Sequence, residues 1–231
     1  MSWALSNASM LAHLTAQNAY LALVPVLISL VISVPLGIAC VRWGWLYPPV
    51  LSLTSVLYAL PALALFVALI DYTGFSNTTV MIPLTVYSLA VLFPSVVDGL
   101  RSVPEPVRQA AVAMGFGTWR RLATVELPIA TPVVIAGLRV AAVSSISLVS
   151  VGQLIGIGGL GYLFIDGEQR SFTTEIVTGI VLIVILALVT DFVLVVARRL
   201  LTPWQRAAGR ATRVESILAA IGRPSQREPV P

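Results

Sequence analysis

Residues 98–131, DGLRSVPEPVRQAAVAMGFGTWRRLATVELPIAT, form the one long polar interruption in an otherwise apolar chain. Their spacing predicts two short amphipathic helices joined at glycine. Ser102 and Glu105 stand at the capping-box interval, where serine oxygen and glutamate carboxylate each satisfy a free backbone N–H of the first turn. Pro104 and Pro106 fall within that turn, where a missing N–H costs little. Val103, Val107, Ala110, Ala111 and Met114 recur at helical spacing as one narrow apolar stripe. Gly115 and Gly117 stop the helix, since glycine accepts the left-handed conformation common at helix ends. Thr118 is expected to cap a second helix carrying Trp119, Leu122 and Val125, with Arg120 and Arg121 elsewhere on its surface and Pro128 closing it. The pattern leaves two readings open. A small-faced helix suits docking into a partner's groove, and it equally suits a loop folded back on its own helices.

Around this stretch, the chain of 231 residues is 58% hydrophobic and 10% charged, with a mean hydropathy of +0.94. Globular chains carry about 25% charged residues, so this composition places the chain in a membrane as one domain. All 14 basic residues are arginine. A phosphate-binding P-loop requires lysine, so the chain cannot be a P-loop ATPase by itself. The one cysteine, Cys40, lies in an apolar run and reads as a small buried hydrophobe. His13 is the single histidine, and nothing converges with it to hold a metal.

Five apolar runs follow an uncharged segment: 19–41, 49–70, 80–97, 132–153 and 175–197. As helices they are roughly 27–35 Å long, enough for a bilayer core of about 30 Å. Pro25, Pro35, Pro61, Pro83 and Pro94 interrupt them, which lipid-embedded helices tolerate as fixed bends or as points of motion. If 98–131 is cytoplasmic, then so are Arg42 and the tail from Arg198, whereas the 71–79 loop has no basic residue. Positive residues stay inside, so the N-terminus is expected outside and the C-terminus in the cytoplasm. The implied domains are an external segment 1–18, a transmembrane domain 19–204 with its loop 98–131, and a basic cytoplasmic tail 205–231. In that tail Val214, Ile217, Leu218 and Ile221 make a helical stripe suited to anionic lipid, or else trail freely.

Two charges fall within runs, Arg139 in the fourth and Asp191 in the fifth, at similar depth from the same end. Ions in lipid are costly, so the two are expected to pair with one another or with a shared polar neighbour; snorkelling of Arg139 is the alternative. The cluster LIGIGGLG at 154–161 lacks the strand and βαβ unit of a dinucleotide site. Its glycines instead allow tight turns and close helix approach. Residues 162–174 are expected to form a short external helix or a partner contact.

The run Gln109-Ala110-Ala111, then Gly115, then Leu127-Pro128 resembles the EAA loop of ABC importer permeases. Its flanks, with 132–139, are most similar to permeases for osmoprotectants such as glycine betaine, choline and carnitine. Gln109 departs from the acid usual there. The likeness covers roughly residues 18–205. It implies an all-α polytopic membrane protein with a five-helix, MetI-like permease core and cytoplasmic coupling helices. By the same resemblance Glu105, Arg108, Gln109, Ala110, Ala111, Met114, Gly115, Phe116, Leu127 and Pro128 contact a separate ATPase subunit, which binds the ATP. The chain itself carries no cofactor, metal or catalytic residue. The resemblance further implies an external solute-binding protein, an outer gate near Gly156, Gly158, Gly159 and Gly161, a bacterial plasma-membrane location and no nucleic-acid partner. Five helices are few to enclose a route, so a second copy or paralogue is expected. Tyr58, Tyr87 and Gln153 are candidates for the path, or for ordinary packing.

Three other classes compete with this reading. A secondary transporter needs an inverted repeat and a buried relay, and neither is visible. A hydrolase needs nucleophile and base together, and Ser144 and Ser145 have no base. A permease for amino acids or methionine shares the loop motif and is the serious alternative.

Overall fold

The computed structural model describes residues 2–203, and among them all regular structure is helical. The tail stripe around Val214 to Ile221 lies outside the described residues. After a short α1 (Ser2–Ser6), α2 runs over Ala8–Arg42. The segment expected to be external is thus mostly the first turns of this helix. Residues 8–24 contain neither glycine nor proline and are rich in Ala and Leu, so nothing stops the helix before the apolar run begins. At 35 residues it is about 52 Å long and outreaches a bilayer core.

The second apolar run is not one helix. It divides into α3 (Tyr47–Ala59) and α4 (Ala62–Thr73), bent by 92°. Pro61 forces its predecessor out of the helical region, and Leu60 is extended at φ −70°, ψ 139°. The Leu60 carbonyl loses its helical partner there, and the Tyr87 hydroxyl donates to it. The pair still bridges the bundle. In the cluster at one end, Tyr47 and Val50 of α3 pack against Cys40, Phe93 and Val97. Phe66 of α4 packs with Leu21, Val80 and Leu84 at the other end.

The chain then follows α5 (Asn77–Arg101), α6 (Glu105–Ala113) and α7 (Thr118–Arg121). The expected capping box does not form. Ser102 ends α5 by donating to the Gly99 carbonyl at 2.7 Å, and Pro104 occupies the cap of α6. Nor does Pro128 close the second helix. A π-helical turn over Leu122–Glu126 carries α7 directly into α8 (Leu127–Val149). A widened turn suits this place, because Pro128 brings no N–H to bond back down the ladder. Tight 3-10 turns over Ser150–Ile155 and Gly159–Gly161 lead to α9 (Tyr162–Gln169) and α10 (Thr173–Leu201).

Helices α2, α5 and α8 pack most closely together, and α10 lies against α8 and α9. Among the described residues, four helical segments are long and apolar enough to cross a membrane, and the bent α3–α4 pair makes up to a fifth crossing. Arg42, Arg101 and Arg198 end α2, α5 and α10 at one end of the bundle. Outward on α10, Val184, Leu188 and Phe192 form an apolar face suited to lipid or to another apolar helix.

We expect Tyr87→Phe to leave the Leu60 carbonyl unmet and to cost about 1–3 kcal/mol. Thermal unfolding of the detergent-solubilised chain measures it.

Candidate functional site

The arginine-bearing end carries α6, closed by Gly115 at φ +80°, a left-handed position that suits glycine. The amide of Phe116 donates to the Ala111 carbonyl at 3.0 Å, satisfying one of the helix's free carbonyls. The apolar stripe divides between two directions. Val103 and Ala111 are buried, whereas Val107, Ala110 and Met114 are exposed. Val112 adds to the exposed side, and Trp119 of α7 is 73% exposed. Arg120 lies over the Phe116 ring at 4.6 Å from its centre. Glu105 and Gln109 are exposed too, on a hollow of about 430 Å³ that Arg108, Val112, Ala113 and Arg121 complete. The result is an apolar, polar-rimmed knuckle standing off the bundle. Leu127 and Pro128 are half-buried in the first turn of α8.

Arg108 points inward. Its Nη2 donates to the Leu100 carbonyl at 2.7 Å, one of the carbonyls left free where α5 ends. Its Nε lies 3.9 Å from Glu126 Oε1, which also accepts from Arg121 Nε at 2.8 Å. Glu126 is 6% exposed. Glu126 is not among the residues expected from the sequence, although a lone acid entering an apolar run beside several arginines is its available signal.

Within the spans, Arg139 and Asp191 meet as a two-pronged pair. Nε donates to Oδ1 at 2.6 Å and Nη2 to Oδ2 at 2.7 Å. The parallel geometry joins α8 to α10 and satisfies both charges in an apolar setting.

At the opposite end, Gly158, Gly159 and Gly161 are buried and Gly156 is an exposed left-handed turn. A Cβ on Gly158 would fall 2.3 Å from the Gln153 amide nitrogen, and one on Gly159, at φ +49°, 2.8 Å from Asn18. Asn18, unnoticed in the sequence, is fully buried. Its Nδ2 donates to the Ile146 carbonyl and its Oδ1 accepts from the Leu160 amide, both at 3.3 Å. Tyr87 is buried and its hydroxyl committed to Leu60, while the half-exposed Tyr58 packs edge-on against it at 5.6 Å. Gln153 is half-buried beneath the glycine turn.

Residues 33–207 match the family described as binding-protein-dependent transport system inner membrane component. The chain is 35% identical to the osmoprotectant import permease protein OsmW of Salmonella typhimurium, over 86% of this chain and 95% of that one. It is 32% identical to the glycine betaine/carnitine/choline transport system permease protein OpuCD of Bacillus subtilis, over 80% and 81%. In fold it is similar to an inward-facing structure of the MetNI methionine ABC transporter. The TM-score is 0.73 at 23% identity, covering 84% of this chain and 96% of that one.

Asp191→Arg or Arg139→Glu alone should lower the amount of monodisperse protein recovered from membranes, because each sets like charges together between α8 and α10. The double reversal should restore recovery, and a double variant no better than the singles would count against the pair.

Proposed function

The chain belongs to the family of binding-protein-dependent transport system inner membrane components, and from that premise we propose that it passes osmoprotectant-type solutes through an ABC importer. It is an all-α, multi-pass membrane permease subunit and not an enzyme. Its cargo, in this reading, is a compact quaternary ammonium ion or zwitterion such as glycine betaine, choline or carnitine. The observation that carries it is identity with osmoprotectant permeases along most of both chains. The methionine transporters share the fold at too low an identity to argue for an amino-acid cargo.

The energy comes from a separate ATPase, which holds the ATP and docks on the knuckle of α6. Exposure of Ala110, Val107, Val112 and Met114 supports this, since apolar side chains gathered on a short helix outside the long spans offer a surface for a partner. The arginine-bearing end faces the cytoplasm and the N-terminus faces outside, as the retention of positive residues favours. A second permease copy or paralogue completes the route, because one chain's spans are too few to enclose it. An external binding protein delivers solute at the 71–79 and 156–161 end, where the buried glycines form the outer gate. Tyr58 and Gln153 face the path beside that gate, and Tyr87 sets the bend that positions Tyr58.

Ala110→Arg places bulk and charge on the exposed docking face. We expect about a tenfold loss of ATPase co-purification, equivalent to about 1.4 kcal/mol, with the permease still folded. Undiminished capture would count against this docking face. For the cargo, calorimetry on the cognate binding protein should show heat with glycine betaine, choline or carnitine and none with methionine. The opposite pattern would replace the osmoprotectant assignment.

A further inference from the structure

The link from α6 to the rest of the chain is weak along the backbone. Residues 102–104 are non-helical on one side, and 114–117, with Gly115 and Gly117, on the other. A helix held only by such links would pivot when pushed. The side chains supply a second connection. Arg108 of α6 reaches the free Leu100 carbonyl of α5 and stands beside the Glu126 carboxylate, which Arg121 clamps from α7. One nearly buried carboxylate at the root of α8 is thus hydrogen-bonded from α7 and lies 3.9 Å from the Arg108 guanidinium of α6, a charge contact without a hydrogen bond.

Just beyond Glu126, Pro128 and Pro132 remove two amide donors from α8, so a displacement there meets an incomplete hydrogen-bond ladder. Beside the joint a cavity of about 390 Å³ separates Pro35, Ile38 and Arg42 of α2 from Trp119, Arg121 and Leu122. No packed side chains of this chain lie in that open hollow between the α7 root and α2.

We propose that Arg108, Glu126 and Arg121 are positioning residues that make α6 and the root of α8 move as one, so that α8 follows the docked partner. This rests on the permease reading above. Without the carboxylate, displacement of α6 is taken up in the glycine turn and does not reach the spans.

The test uses the full complex with its ATPase in a Cys40→Ala background, with one labelled permease copy per complex. Nitroxides at exposed Ala113 of α6 or Ala136 of α8 are each measured against one at Tyr72 by pulsed electron resonance. In the otherwise native chain, trapping the ATPase with ADP and vanadate should shift both distances. In E126Q the Ala113 distance should still shift, while the Ala136 distance should lose more than half its shift and broaden. R108Q, which leaves Glu126 paired with Arg121, should act in the same direction and carries the test if E126Q does not reach the membrane. The double variant should be no worse than the more severe single, since both remove one connection. A full Ala136 shift in these variants overturns the proposal. So does loss of the shift at both positions, which would mean that the ion pairs only maintain the docking surface. Should the otherwise native chain capture no ATPase, or show no shift at all, the permease reading falls and the joint with it.

Discussion

A backbone carbonyl or amide that leaves its helical ladder inside an apolar medium has no water to turn to. Some protein donor or acceptor must meet it. The shape of this bundle follows from where that happens. Tyr87 meets the Leu60 carbonyl at the break between α3 and α4. Asn18 meets the Ile146 carbonyl where α8 tightens into 3-10 turns, and takes the Leu160 amide as well. Arg108 meets the Leu100 carbonyl at the foot of α5. Each irregularity is thereby tied by a side chain to a helix that did not produce it. Bends that would weaken an isolated helix become the contacts that hold the bundle together.

The same economy separates two of the charge clusters by task. Arg139 and Asp191 neutralise one another between α8 and α10, where neither could stand alone. The Arg108–Glu126–Arg121 cluster lies at the boundary, where α6 leaves the bundle and presents an apolar knuckle outward. One cluster permits two spans to lie side by side in an apolar medium, while the other connects an exposed short helix to the root of α8. Glu126 is the less conspicuous of the two acids in the sequence, yet it is the more deeply buried.

The glycine run at the opposite end shows how close packing can imitate a ligand-binding motif. Gly158, Gly159 and Gly161 are small because Gln153, Asn18 and Ser150 occupy the volume a side chain would need. They let α2 and the turns that follow α8 lie in contact. Tight contact of this kind transmits a small displacement without loss, because a packed interior resists compression.

Much of this molecule can be read from residue order alone. Apolar runs of bilayer length, arginines gathered at one end and a polar stretch with helical spacing are local or additive properties, so composition and period suffice to establish a polytopic helical membrane chain. The EAA-like spacing likewise survives in the linear chain. Three things were not legible there: that α2 starts as early as Ala8, that Ser102 caps the preceding helix and not the following one, and that α7 runs on through a π turn past Pro128. Each depends on which of several geometrically permitted hydrogen bonds the surroundings favour. Only tertiary structure could bring Asn18 to Leu160, Tyr87 to Leu60 and Glu126 between two arginines, because those partners are chosen by the packing of whole helices and not by spacing along one.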